Sequence, residues 1–364
     1  MEKIVYILGA GFSRPLGLPL MNDFIEKSKD MYFDNIDNSD YSDFQSIFNT
    51  IRDMAISKQY YDTDLDNIEE VLSILEMQKF TGERTKVKSF LEYICKVIKY
   101  YTPEINWDVN DFKSPPEHWR FGIWGKEEIW NDYGYFVMSM IGNKKMVRKY
   151  HREDNIHYWK IEDVRKNTHY SVVTMNYDLV LESICESFNK NFRYQDRNDK
   201  VIYFNREYNK EDPVNSNNTY LAKLHGCVST GIVIPPTWNK GLVDKEILPE
   251  WKLAYNLLKN ATQIRIIGYS MPITDSYIKY LLRAAIIKSD HFKKIDVIIL
   301  DDNGDAHKRY SDFIKAKNFR FKSRDVKDYL YFIKKNTGSF VNLERDEELI
   351  FNRLEDTHET FMKT

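Results

Sequence analysis

The opening nineteen residues constrain the fold more than any other part of the chain. Residues 3–8, KIVYIL, form a short apolar run that stops at Gly9, as expected of a buried parallel strand. Gly9 and Gly11 allow a tight turn, in which backbone N–H groups can lie against an anionic pyrophosphate near a helix start. A dinucleotide-binding turn reads G-x-G-x-x-G, but here Arg14 takes the third glycine's place and the next glycine is Gly17. The opening therefore predicts a nucleotide-binding strand and turn whose second half is altered.

Four further apolar runs predict the rest of a sheet. They are residues 170–176, 220–226, 263–270 and 295–302, and each ends at or beside Gly, Asn, Asp, His or Ser. In open α/β sheets the ligand lies beyond the carboxyl ends of the strands, so these polar ends mark a site. Helical spacing between the last two runs adds a strand–helix–strand unit. We predict an α/β fold with a Rossmann-like, doubly wound, mostly parallel sheet.

The remaining segments indicate helices. Residues 66–80 carry an apolar stripe behind Asp66, the expected N-cap, with Glu69 as its capping-box partner, and residues 85–101 repeat the pattern. We predict a large all-helical insertion and a helical C-terminal tail. The expected organisation is a discontinuous nucleotide-binding domain, an insertion and a tail, namely residues 1–28 with 165–335, residues 29–164, and residues 336–364.

Composition excludes several classes of protein. The 364 residues include 53 basic and 55 acidic side chains, so direct nucleic-acid binding is not expected. Cys95, Cys185 and Cys227 are widely spaced and form no C-x-x-C pair, which argues against disulfides and against a zinc site; we expect no metal. No apolar window approaches the ~18 residues of a membrane span, and the first apolar run is too short for a signal peptide. We expect a protein of the reducing cytoplasm, with no membrane association.

Four short elements occur in a fixed order along the chain. They are GAGFSRPLGLP at 9–19, TMNYD at 174–178, LHG at 224–226 and GYS at 268–270. In that order they resemble the sirtuins, the NAD-consuming family named after silent information regulator 2. The first is similar to the family's opening G-A-G-x-S-x-x-x-G-x-P signature. The others are similar to its T-Q-N-x-D element, its catalytic-histidine element and its G-T-S turn.

The resemblance implies NAD+ as the substrate and assigns three catalytic residues. His225 would be the general base on a ribose hydroxyl or a water, because imidazole titrates near neutral pH. Asn176 would grip a ribose hydroxyl or position water, and Asp178 would hold the nicotinamide carboxamide. Asp301, at the end of a strand, is expected to accept the adenosine ribose hydroxyls, with Asn303 as a competing candidate. The other expected cofactor-binding residues are Gly9, Ala10, Gly11, Ser13, Arg14, Pro19, Gly268 and Ser270.

Two departures from the sirtuin pattern argue against protein deacylation. Cys227 stands alone where deacylases carry paired C-x-x-C elements that bind zinc, and Leu20, Met21 and Asn22 replace an Asp-Phe-Arg element. The chain looks like the sirtuin-like domains of bacterial antiphage defence, which cleave NAD+ to nicotinamide and ADP-ribose.

We predict an NAD+ glycohydrolase that depletes NAD+ in bacterial antiphage defence by abortive infection. The resemblance also implies control by homo-oligomerisation or by a partner protein such as a defence-associated ATPase. An NAD-dependent protein deacylase and a non-catalytic NAD+ or ADP-ribose sensor are the alternatives. Cyclisation and hydrolysis of NAD+ are not distinguished by the residues.

Overall fold

The computed structural model describes residues 2–60, 62–105, 124–125, 127–141, 144–151, 156–163, 168–191, 202–206, 219–234, 247–272, 275–287, 289, 291–315, 317–343, 346–351 and 353–364. The strands in chain order are β1 (Glu2–Leu8), β2 (Lys144–His151), β3 (Ile156–Asp163), β4 (Thr168–Thr174), β5 (Tyr220–Lys223), β6 (Gly226–Cys227), β7 (Ile232–Val233), β8 (Gln263–Ile267), β9 (Lys294–Ile299), β10 (Phe319–Ser323), β11 (Gly338–Leu343) and β12 (Asp346–Phe351). The helices are α1 (Ala10–Ser13), α2 (Phe24–Asp34), α3 (Phe44–Met54), α4 (Ile68–Phe80), α5 (Val87–Tyr101), α6 (Glu128–Ile141), α7 (Val180–Asn191), α8 (Leu248–Lys259), α9 (Ser276–Ile286), α10 (Asp305–Phe313), α11 (Val326–Thr337) and α12 (Leu354–Lys363).

Six strands form the main sheet in the order β10-β9-β8-β1-β4-β5. Every neighbouring pair is parallel, and Ile7 of β1 lies opposite Val173 on one side and Ile266 on the other. If the six strands are numbered 1 to 6 in chain order, their order in the sheet, read from β5, is 3-2-1-4-5-6. This is the dinucleotide-binding arrangement. The predicted Rossmann-like parallel sheet is confirmed. The order reverses beside β1, and a ligand crevice is expected at that point.

Helices cover both faces of this sheet. Alternate residues of β1 point to opposite faces, so Tyr6 packs in one buried cluster with helices α6 and α11, and Ile7 packs in another with α8 and α9. Tyr6 meets Phe136 of α6 edge to face, with ring centroids 5.2 Å apart. The sheet is therefore doubly wound, and α6, expected to be part of the insertion, is one of its covering helices.

The insertion has a core of its own. Apolar side chains from α2, α3, α4 and α5 form a third buried cluster, in which Tyr93 contacts Phe24, Phe44 and Phe90. Tyr177, from the turn after β4, joins this cluster. The insertion helices thus pack directly against the end of the main sheet.

A second sheet corrects the prediction that the insertion is all helical. Strands β2 and β3 pair antiparallel within residues 144–163, and β2 pairs with β12 from the tail in the order β11-β12-β2-β3. The tail expected to be helical over residues 336–364 contains β11 and β12, and its last helix begins only at Leu354. Tyr, Trp, Val and Ile favour strands in this segment. The partner of β2 on its other side, β12, lies nearly two hundred positions away, where local periodicity does not reveal it. The helical tail is present as α12.

Buried polar contacts fix α12 to the main sheet. The fully buried Arg265 of β8 donates to Glu355 Oε2 at 2.5 Å and to the Tyr6 hydroxyl at 2.8 Å. His358 lies between the Tyr329 hydroxyl and Asp296 Oδ2, at 3.0 Å from each. The tail is therefore part of the layer that covers the sheet. In the described part of the chain, no helix is long and apolar enough to cross a membrane.

Candidate functional site

A cavity of about 580 Å³ lies at the carboxyl ends of the parallel strands. Its walls come from the turn after β1, the ends of β4, β8 and β9, and the first turns of α4 and α11. Most of the site residues predicted from the sequence line it together: Ala10, Gly11, Ser13, Arg14, Pro19, Asn176, Asp178, His225, Gly268 and Ser270. Gly9 and Asp301 are not among the lining residues.

The glycine turns after β1 and β8 pack against each other. A Cβ on Gly268 would lie 2.3 Å from the Phe12 nitrogen, and one on Gly9 would lie 2.6 Å from Tyr269 Cα. Gly268 also has φ of 63°, a conformation that favours glycine. These glycines let two backbone segments approach more closely than side chains would allow.

The backbone N–H groups of the turn after β1 have different partners from those predicted. The Gly9 N–H donates to the Ile267 carbonyl at 3.1 Å, and the Gly11 N–H donates to the Gly268 carbonyl at 2.9 Å. Neither therefore faces an anionic ligand as predicted. The reason is that the end of β8 packs closely on this turn, so that its carbonyl groups accept both N–H groups.

Ser13 joins the two polar residues that follow β4. The Asn176 side-chain amide donates to the Gly9 carbonyl at 2.9 Å and to Ser13 Oγ at 3.1 Å. The Ser13 hydroxyl in turn bonds the Asp178 carboxylate. These two bonds use the donors of the Asn176 side chain and orient it, and the amide oxygen is its acceptor.

The Asp178 carboxylate is buried, and its neighbours act on its pKa in both directions. Burial raises its pKa above the ordinary value, although the nearby Lys223 ammonium and the bonds from Ser13 and the Val180 N–H act in the opposite direction. Lys223, only 1% exposed, lies 2.8 Å from Glu182 Oε1. Burial alone would lower the pKa of Lys223, but Glu182, Cys227 and Asp178 together raise it, so the ammonium stays charged.

His225 follows β5 and lies at the enclosed end of the cavity. Its side chain is 4% exposed, and its Nε2 is 3.7 Å from Asp275 Oδ2. The Tyr177 ring centroid is 5.9 Å from the imidazole. Asp275 accepts a 2.7 Å bond from the Tyr269 hydroxyl, which fixes the carboxylate on the histidine's side. An imidazole that takes a proton as a general base becomes positively charged, and a nearby carboxylate stabilises that charge.

Asp301 lies outside the cavity, where its carboxylate caps the first turn of α10. Its two carboxylate oxygens accept the N–H groups of Ala306 and His307, at 3.1 and 2.9 Å, in the first turn of α10. Asn303 likewise accepts the Asp305 N–H at 3.1 Å. The structure brings neither of them into the cavity, where Asp325 lines the corresponding end.

Three acidic residues of the cavity, Asp275, Glu69 and Asp325, were not predicted as site residues. Asp275 precedes α9 and carried no signal beyond that of a helix start. Glu69 was interpreted as a capping-box residue behind Asp66, but α4 begins at Ile68, and Asn67 caps it by accepting the Glu69 N–H at 2.9 Å. Glu69 lines the cavity. No group of three or more potential ligands for a metal occurs among the residues that the structure describes.

Comparisons with known proteins find a family match for one segment of the chain. Residues 170–322 match the family model of a SIR2-like domain, a segment that includes Asn176, Asp178, His225 and Ser270. No curated protein sequence matches the chain.

Several solved structures of Sir2 proteins align over most of the chain. Sir2 bound to acetylated peptide is 10% identical, with a TM-score of 0.35, and the alignment covers 92% of this chain and 92% of that one. Sir2Tm bound to a propionylated peptide is 10% identical, with a TM-score of 0.34 and the same coverage of both chains, 92% and 92%. The complex of Sir2 with p53 peptide and NAD+ is 11% identical, with a TM-score of 0.32 and again 92% of each chain. From the family-model match, residues 170–322 are similar to a SIR2-like domain.

Proposed function

We propose that this chain is an NAD+ glycohydrolase, which cleaves the nicotinamide–ribose bond to give nicotinamide and ADP-ribose. One observation carries the proposal: the cavity at the switch point of the 3-2-1-4-5-6 sheet gathers Asn176, Asp178 and His225. Ligands of doubly wound sheets bind at that position. The SIR2-like match over the same segment supports NAD+ as the ligand.

The cavity has room for most of a dinucleotide. Its volume of about 580 Å³ lies within the usual range for small-molecule sites. The end near His225 is enclosed by Tyr177 and Tyr269, which suits the reacting ribose. The other end, beside Leu300 and Lys327, would receive the adenosine half.

The proposed reaction gives each of these side chains a role. The C1′–N bond breaks with both electrons going to the pyridinium nitrogen, so nicotinamide leaves neutral and the ribose becomes oxocarbenium-like. Asp178 accepts the carboxamide N–H of nicotinamide, while the Asn176 oxygen orients the attacking water. Water then bonds to C1′ and gives its proton to His225. Asp275 stabilises the imidazolium that forms.

Product analysis tests this proposal. The purified chain is incubated with NAD+, and nicotinamide and ADP-ribose are separated by liquid chromatography. The wild type should yield both products, and His225→Ala and Asn176→Ala should each lose about 10²-fold or more of the rate. His291→Ala, which removes an exposed histidine far from the chemistry, is the matched control and should keep full activity.

Other outcomes would contradict the glycohydrolase. Turnover that requires an acyl-lysine peptide would identify a deacylase. Binding of NAD+ without cleavage, by the chain alone and with candidate partners, would identify a sensor. Cyclic ADP-ribose as the main product would replace hydrolysis by cyclisation.

The proposal extends to a cellular role. The residues that resemble defence-associated sirtuin-like domains support NAD+ depletion during phage infection of a bacterial cell, in the cytoplasm. Control by homo-oligomerisation, or by a partner such as a defence-associated ATPase, would keep the enzyme silent before infection. Measuring cellular NAD+ after infection, with the wild type and His225→Ala side by side, tests this role.

A further inference from the structure

We propose that Lys223 is a positioning residue, which holds Asp178 at the wall of the cavity and balances the charge of its carboxylate. Lys223 thereby makes the site prefer NAD+, which carries a carboxamide, over nicotinic acid adenine dinucleotide, which carries a carboxylate at the same place. This inference rests on the proposed function, in which Asp178 receives the carboxamide. Asp178 lines the cavity and Lys223 does not, so Lys223 acts through Asp178.

The Lys223 ammonium is held by three neighbouring groups, as many as it has N–H donors. It donates to the backbone carbonyl of Asp178. It also lies 2.8 Å from Glu182 Oε1 and donates to Cys227 Sγ at 3.5 Å. The backbone of Lys223 is fixed as well, since its N–H donates to Glu250 Oε2 at 2.9 Å. With its donors engaged and only 1% of the residue exposed, the ammonium has one defined position.

The contact with Asp178 joins the two turns that carry the proposed chemistry. Asp178 belongs to the turn after β4, and Lys223 ends β5, two residues before His225. The Val228 N–H links the same two turns by donating to the Tyr177 carbonyl at 3.0 Å. The bond from the Lys223 ammonium to the Asp178 carbonyl therefore helps to set where Asp178 lies relative to His225.

Charged and titratable groups from several elements face the Asp178 carboxylate. Burial raises the pKa of Asp178, and Glu182 of α7 raises it further, whereas the Lys223 ammonium and the Ser13 hydroxyl lower it. Tyr133 of α6 faces Asp178 from another side, and its own pKa is raised by burial and by the Asp178 charge. Among these groups Lys223 is the cation, so its removal leaves a buried carboxylate without a counter-charge.

An ionised Asp178 distinguishes the two dinucleotides. Its carboxylate accepts an N–H of the carboxamide of NAD+, but it repels the carboxylate of nicotinic acid adenine dinucleotide. Protonation of Asp178 ends this repulsion, and the preference for NAD+ is then lost. The pH at which the preference disappears therefore reports the pKa of Asp178.

Binding of the two dinucleotides tests the assignment. Titration calorimetry is run on full-length chains that carry His225→Ala, so that neither dinucleotide is consumed and this histidine does not titrate. With Lys223 in place, NAD+ should bind about tenfold more tightly or better at pH 7. Lys223→Met should remove this preference at pH 7, and Lys223→Arg, which keeps the charge, should retain it. Lys252→Met, at an exposed position of α8, is the matched control and should leave the preference unchanged.

A second variant tests the same balance of charge in the opposite direction. Glu182→Gln removes an anion beside Lys223, so the pKa of Asp178 should fall and the preference for NAD+ should persist to lower pH. In Lys223→Met the preference should instead disappear at higher pH. A lysine with only a structural role would weaken binding of both dinucleotides equally when replaced and would leave this pH unchanged. If Lys223→Met does not fold, the direction of the shift in Glu182→Gln decides.

The outcomes separate this inference from the proposed function. A wild type that leaves NAD+ intact would overturn the glycohydrolase, while the loss of preference in Lys223→Met would still support the role of Lys223. Equal loss of both dinucleotides in Lys223→Met, or no downward shift in Glu182→Gln, would overturn that role. A His225→Ala chain that binds the two dinucleotides equally, or binds neither, would overturn it as well.

Discussion

The contact between the turns after β1 and β8 makes a quantitative prediction for Gly268→Ala. The new Cβ would lie 2.3 Å from the Phe12 nitrogen and 2.5 Å from the Gly11 carbonyl carbon, and neither backbone atom can rotate away. Alanine at φ of 63° costs about 1–2 kcal/mol, because the left-handed conformation brings Cβ close to the carbonyl oxygen. Separating the two turns adds about 1–3 kcal/mol, as overpacking does elsewhere. We expect the free energy of unfolding to fall by about 2–5 kcal/mol in total.

Gly231→Ala is the matched control for this experiment. Gly231 has φ of 70°, but an added Cβ would meet nothing within 4 Å, so only the conformational cost of about 1–2 kcal/mol remains. Urea denaturation followed by circular dichroism gives both free energies. Gly268→Ala should also lose NAD+ cleavage, since its turn lines the cavity, whereas Gly231→Ala should keep it. Equal destabilisation of the two variants would refute the close packing of these turns.

Three further predictions concern buried charges. Lys223→Met should lower the free energy of unfolding by about 3–5 kcal/mol, because it leaves buried carboxylates without their cation. Lys252→Met, at an exposed position, should change this free energy little, and urea titration measures both variants. Glu355→Ala should lower the free energy of unfolding by a similar amount, because Arg265 is then buried without its carboxylate. Limited proteolysis of this variant should release the tail. A tail that resists the protease as well as that of the wild type would contradict this prediction. Burial lowers the pKa of His358 from 6.5 to about 3, so between these two values the unfolded chain binds a proton that the folded chain does not. The contribution of His358 to the free energy of unfolding is therefore fully present above pH 6.5 and is lost as the pH falls toward 3. The loss reaches about 1.4 kcal/mol per pH unit, and a His358→Gln variant with an equally steep acid limb would contradict this assignment.

Much of the fold could be predicted because its signals are local. Each apolar run of the parallel sheet ends at a glycine or polar residue, and parallel strands bring those ends to one edge. For that reason His225 could be expected close to Asn176 and Asp178, although it follows a different strand, and the structure puts all three around one cavity.

The features that escaped prediction depend on contacts between distant segments. Pairing of β2 with β12 joins parts of the chain that carry no local sign of each other. The Gly9 and Gly11 N–H groups are taken by the end of β8, which the turn's own sequence does not reveal. Glu69 was expected to pair with an N-cap at Asp66, but the N-cap is Asn67, one position nearer to the helix.

A crystal structure of His225→Ala with NAD+ would test the central claim most directly, because the variant should bind the substrate without consuming it. We expect the nicotinamide ribose between Asn176 and the vacated position of His225, with the carboxamide on Asp178 and the adenosine half toward Lys327. Density for NAD+ with its nicotinamide ribose outside this cavity, or on another face of the protein, would contradict the proposed site and its chemistry.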